Sequence, residues 1–154
     1  MPEYNGGVLS ITPNTANDNW TLHTPNTAHM FAKLFQFSWG GQLTTSAAYA
    51  TRWVRPTTVG TTITAITLGY GQPYYVAAGA QLGSTWTTPP VLPAAGVGNL
   101  FAQSWNGQGG NGVIVLPLDK EWWVQADSLT GQMSCRNTAG TDATGSSYYA
   151  SWKE

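Results

Sequence analysis

The sequence is short of charge. Only 8% of its 154 residues are Asp, Glu, Lys or Arg, against about 25% in an average globular domain. Six basic and seven acidic residues leave a formal net charge of −1. That balance excludes the clustered basic face a nucleic-acid binder needs, and it protects a free monomer poorly against association. Apolar runs are short as well. None approaches the roughly 18 residues of a membrane-spanning helix, so no membrane partner is expected. The opening stretch MPEYNGGVLSIT has neither the basic nor the apolar region of a secretory signal. The Asn19-Trp20-Thr21 sequon is therefore expected to carry no glycan. Cys135 is the single cysteine, so no internal disulfide can form, and the fold is expected to be indifferent to a reducing compartment.

Groups that could do chemistry are equally sparse. The acidic residues Glu3, Asp18, Asp119, Glu121, Asp127, Asp142 and Glu154 are scattered, with no reason to pair any two across a cleft as a glycosidase requires. Asp119-Lys120-Glu121 reads as a solvated turn before a strand. His23 and His29, with Asp18 nearby, fall short of the three or four ligands a metal needs. No G-x-S-x-G elbow occurs. Gly107, Gly109 and Gly112 in SWNGQGGNGVIVLP have the spacing of a dinucleotide-binding turn. They lead into the β-branched run Val113–Val115 and then Pro117, where no helix can present its amides to a phosphate. The stretch is read as a glycine-rich turn between strands, its glycines tolerating positive φ. No catalytic residue, metal or cofactor is expected.

What the chain does have is Gly, Thr, Ser, Asn and an excess of large aromatics, eight Trp and seven Tyr. Such side chains are favoured at interfaces and sugar-binding surfaces. No convincing 3.6-residue period appears, whereas period-2 runs recur between Gly, Pro and Asn clusters, the pattern of an all-β sandwich or barrel. Strands are expected over Val8–Thr12, Phe31–Trp39, Tyr49–Arg55, Thr61–Leu68, Tyr74–Ala77, Leu100–Trp105, Val113–Leu116, Glu121–Ala126, Leu129–Arg136 and Ser147–Lys153. The apolar parity shifts within Thr61–Leu68, which predicts a bulge. Ser84–Asn99, with Pro89, Pro90 and Pro93, reads as a long loop crossing between sheets. The expected architecture is a single-domain, jelly-roll-like β-sandwich over 29–154, with residues 1–28 an extended N-terminal arm holding a first short strand.

Face assignments single out two residues. In Leu129–Arg136, Cys135 shares a face with Leu129, Gly131 and Met133 and reads as a small buried hydrophobe. In Phe31–Trp39, Phe31, Phe35, Phe37 and Trp39 fall on one face. In Glu121–Asp127, Trp122 points inward with Val124 and Ala126, and Trp123 lies with Glu121, Gln125 and Asp127. In Ser147–Lys153, Tyr149 lies with Ser147, Ser151 and Lys153. Large aromatics on polar strand faces need a covering partner, so Trp123 and Tyr149 are the candidate partner-interface residues.

The stretches FAKLFQFSWGGQLTTSAAYATRWVR (31–55) and MSCRNTAGTDATGSSYYASWKE (133–154) resemble a group of small virion structural proteins of tailed phages. In that group a strand ends in a Ser-Trp-Gly-Gly-like turn, here Ser38, Trp39, Gly40 and Gly41. A Thr-rich loop and an Arg-containing strand follow, here with Arg52 and Arg55. The terminal part matches through Ser134, Cys135, Arg136, Asn137, Trp152 and Glu154. The segment SWNGQGGNGVIVLPLDKEWWV is similar to that group's hairpin, although its glycine count and double Trp differ. The resemblance implies a capsid decoration, or cement, protein: a homotrimer bound to the major capsid protein on the outer surface of the head, and located in the host cytoplasm during assembly. The competing reading is a carbohydrate-binding or tail-adhesion module, in which exposed Trp and Tyr stack on sugars.

Overall fold

The computed structural model describes residues 2–11, 16–24, 31–67, 69–70, 79–125, 131–139 and 145–154. These residues form twelve strands and no helix: β1 Glu3–Ile11, β2 Trp20–His23, β3 Phe31–Gly41, β4 Ala48–Val54, β5 Thr61–Ala65, β6 Gly69–Tyr70, β7 Gln81–Thr88, β8 Asn99–Asn106, β9 Asn111–Val115, β10 Trp122–Gln125, β11 Gln132–Ala139 and β12 Ser146–Lys153. They pair into two six-stranded antiparallel sheets packed as a sandwich. The first runs β10-β3-β12-β1-β6, with β9 following β10 along the same edge of β3. The second runs β5-β7-β2-β11-β4-β8. The stretch 1–28 contributes to both: β1 lies between β12 and β6, and β2 between β7 and β11. An arm free of the sandwich is therefore not what Glu3–Ile11 and Trp20–His23 make.

The sandwich closes on its aromatic rings. Trp20, Trp53 and Trp152 have no exposure, and Trp39 and Trp105 are also buried. Trp53 is the hub, with Phe37, Trp39 and Phe101 at centroid distances of 4.8, 5.2 and 5.3 Å. Trp122 is half-buried and stacks on Phe37 at 5.0 Å, which agrees with its expected inward direction. The tryptophan excess is thus mostly core, and Trp123 is the exposed member of the set. Cys135 is fully buried beside Met133, and burial pushes its thiol well above the usual value. Cys135→Ala is expected to cost only ~1 kcal/mol, and the native thiol should resist alkylating reagents. Labelling on the timescale of an unfolded control would place it on the wrong face.

In β3 the expected face assignment fails, for a local reason. Ala32 and Leu34 point inward, then Phe37 and Trp39. The two parities meet at a bulge where Ser151 pairs with Gln36 and the next residue, Trp152, pairs with Leu34. One extra residue inverts the side-chain alternation, so Phe31 and Phe35 stand outside. The bulge expected in Thr61–Leu68 falls on the partner strand instead: Thr64 pairs with Thr85 and Ala65 with Gly83, so the extra residue is Ser84 of β7.

Ser84–Asn99 also departs from expectation. Its first part completes β7, and the connection proper is Pro89–Gly98. It does not pass to the other sheet. It runs from β7 to β8 of the same sheet, across the outer face of β11 and β4. Proline has no N–H, so this strap presents carbonyls that need donors. Arg136 on β11 supplies one to Pro90 O at 2.9 Å, and Arg52, its neighbour on β4, supplies two, to Pro93 O at 2.8 Å and Ala94 O at 3.0 Å. Thr57 N and Val91 N add backbone bonds at its start. Val54, Ser134 and both arginines are buried beneath it.

The glycine-rich stretch is the turn between β8 and β9, but the glycines serve packing rather than positive φ. A Cβ on Gly112 would lie 2.3 Å from the Trp39 ring, and one on Gly107 2.4 Å from that of Tyr49. Neither residue has a positive φ.

Candidate interaction surface

The two sheets treat their outer faces differently. The second sheet is covered over β11 and β4 by the strap. The outer face of the first carries apolar side chains directly into solvent, and both sequence-predicted interface residues stand on it. Trp123 on β10, Lys33 on β3, Lys153 on β12 and Glu3 on β1 are lateral neighbours. Trp123 is 47% exposed. Its ring stacks on Phe31 at 5.1 Å and 24°, and Lys33 Nζ sits 4.1 Å from its centre. Arg55 Nη2 donates to the Trp123 carbonyl, fixing the strand edge from the opposite sheet. Lys153 Nζ lies 4.8 Å from the Phe35 ring and 3.6 Å from Glu3 Oε1. The inverted parity of β3 is what adds Phe31 and Phe35 to this face.

Tyr149 is 43% exposed. It lies two strands and four residues from Trp123, roughly 17 Å by ordinary strand spacings. The two residues share a face without touching. Tyr149 lies over Gly7, where a Cβ would come within 2.3 Å of its ring, so the aromatic covers a gap in β1. Val113 and Val115 of β9 extend the exposed apolar area toward the sheet edge.

Several other titratable groups are engaged in local contacts. Asp18 is buried and receives Arg136 Nε at 2.6 Å, Ser134 Oγ at 2.7 Å and the Thr21 hydroxyl. Burial pushes its carboxyl above the usual value, and Arg136 with the two hydroxyls pulls it back. His23 packs edge-on to Trp86 at 5.8 Å, and burial lowers its pKa. Asp119 and Glu121 form one turn, the Asp119 N–H donating to Glu121 Oε2. His29, Asp127 and Asp142 lie outside the described residues. In the core, Asn137 Oδ1 accepts from Thr51, Asn19 and Tyr148, a set that satisfies itself. Among the described residues no three of His, Cys, Asp and Glu are placed to share a metal ion.

Sequence reasoning missed the Asp18–Arg136 pair and the two-arginine grip on the strap. Period-2 alternation signalled that Arg136 and Ser134 share a face. It carried no sign that the chain returns to cover that face. Comparison with protein-family models, with curated proteins and with solved structures gives no match for this chain.

Proposed function

We propose that this chain is a structural protein of a tailed-phage virion, a trimeric decoration protein whose first sheet lies against the major capsid protein. The observation that carries the reading is the contrast between the two sheet faces, one roofed by the chain's own strap and the other left with Trp123, Tyr149, Val113 and Val115 in water. Contiguous exposed apolar area marks interaction sites in soluble proteins. The sequence resemblance supplies the identity of the partner, and multivalent attachment of a trimer would turn modest contacts into high avidity. Supporting the jelly-roll reading of the sandwich, β1, β12, β3 and the β9/β10 edge lie in that order in one sheet, and β2, β11, β4 and β8 in the other. Jelly rolls occur in capsid and lectin domains alike, so the fold does not choose between them.

The carbohydrate reading draws on Tyr149, whose ring lies against Gly7 with its other side facing solvent. Trp123 is less suited to a sugar, because Phe31 and Lys33 already occupy its ring.

Trp123→Ala is expected to leave the melting temperature within about 2 °C, as for an exposed position, while weakening attachment to phage heads stripped of their decoration protein by at least roughly tenfold. Co-sedimentation measures it. Undiminished attachment would remove this face from the interface, and wild-type protein that fails to sediment with heads but binds a glycan column would favour the sugar reading.

A further inference from the structure

We infer that the free edge of β8 docks against the same edge of a second copy, the two strands pairing antiparallel about a two-fold axis at Gln103. This goes beyond the trimer proposed above and uses a different surface. The second sheet ends at β8, and among the described residues no strand pairs with its outer side. Natural sheets blunt such edges with short strands, charge, proline or a covering segment. β8 is eight residues long, NLFAQSWN, with no charged residue and no proline. It lies inside the stretch from Pro56 to Leu118, which contains no Asp, Glu, Lys, Arg or His. The other sheet ends are defended better. β5 and β9 have five residues each, β9 with Pro117 just beyond it, β6 has two, and β10 follows Asp119, Lys120 and Glu121 and is held by Arg55.

The sequence of β8 also fits its own inverse. Phe101 and Trp105 point to the core, where Phe101 packs on Trp53 and Trp105 on Tyr149's neighbour Tyr148. With the axis at Gln103, Phe101 stands opposite Trp105 of the second copy, Ala102 opposite Ser104, and Leu100 opposite Asn106. Facing residues in an antiparallel pair share a side of the sheet, so this register joins core face to core face and outer face to outer face. No like charges meet. The contact is isologous, so pairing consumes both edges and closes without propagating into a fibre.

The experiment is a light-scattering or sedimentation mass of the intact chain at micromolar concentration, for wild type, Gln103→Lys, Gln103→Glu and an equimolar mixture of the two variants. The expected wild-type species is even-numbered, a dimer or a hexamer of two trimers. Each variant places two like charges across the axis and should weaken this contact at least about tenfold, giving half the wild-type mass with an unchanged melting temperature. The mixture should restore the even-numbered species, because opposite charges then face each other. A wild-type trimer would overturn this inference and leave the proposed trimer standing, whereas a monomer would overturn both. Variants that keep the wild-type mass, or a mixture that does not recover it, would also overturn the pairing.

Discussion

Asp18→Ala is expected to destabilise the protein by about 3–5 kcal/mol, the usual cost of leaving one member of a buried ion pair without its partner. In a domain of this size that lowers the melting temperature by on the order of 10 °C. Asp18 accepts from Arg136, Ser134 and Thr21, so its loss leaves the buried Arg136 charge uncompensated and deprives two buried hydroxyls of their acceptor. Arg136 is also one of the two side chains that hold the strap. Combining Asp18→Ala with Arg136→Met should recover part of the loss, since a well-packed apolar pair often replaces a buried ion pair at little cost. Recovery should stay incomplete, because Pro90 then has no donor. Denaturant titration of the three variants measures this, and a single-variant cost under about 1 kcal/mol would mean that the pair is solvated in solution.

Trp53 should show a large effect of a different kind. Trp53→Ala empties the space at the centre of Phe37, Trp39 and Phe101, where truncating a buried aromatic typically costs ~3–5 kcal/mol. The indole N–H of Trp53 has no hydrogen-bond partner, so the position exploits the ring and not its polar edge. Trp53→Phe should therefore cost far less, within about 1.5 kcal/mol, as a smaller ring is offset by removal of an orphaned donor. Thermal unfolding of the two variants tests the contrast. Equal losses would show that the N–H is bonded in solution.

Legibility differed from one strand to another, and for physical reasons. Leu129–Arg136 gave the correct faces at every position the structure describes, because β11 is unbulged over Gln132–Asn137 and alternation holds along it. Phe31–Trp39 misled, because a bulge leaves no mark in composition while inverting everything on one side of it. The proline-rich segment announced a long connection but not its route, which depends on partners, Arg136 and Arg52, distant in sequence. Trp123 and Tyr149 were legible as exposed aromatics because each sits among polar neighbours at period 2. That they share a sheet face at a distance, and that Phe31 and Lys33 join Trp123, follows from strand order, which no single segment encodes.

The central position of β12 has a consequence for how the chain reaches its fold. Ser146–Lys153 fills the gap between β1 and β3, with Glu3 opposite Lys153 and Gly41 opposite Ser146. β1 and β3 do not pair with each other, and their common partner, β12, follows every other described strand in the sequence. Until β12 is in place, β1 has only β6 beside it and β3 only β9 and β10, and Tyr4 lacks Trp152 to pack against. Topologies dominated by such distant pairings fold slowly, in milliseconds to seconds, and they expose unpaired edges and apolar surface while they wait. Formation of the first sheet should therefore be completed late, on insertion of β12, with a refolding yield that falls as concentration rises.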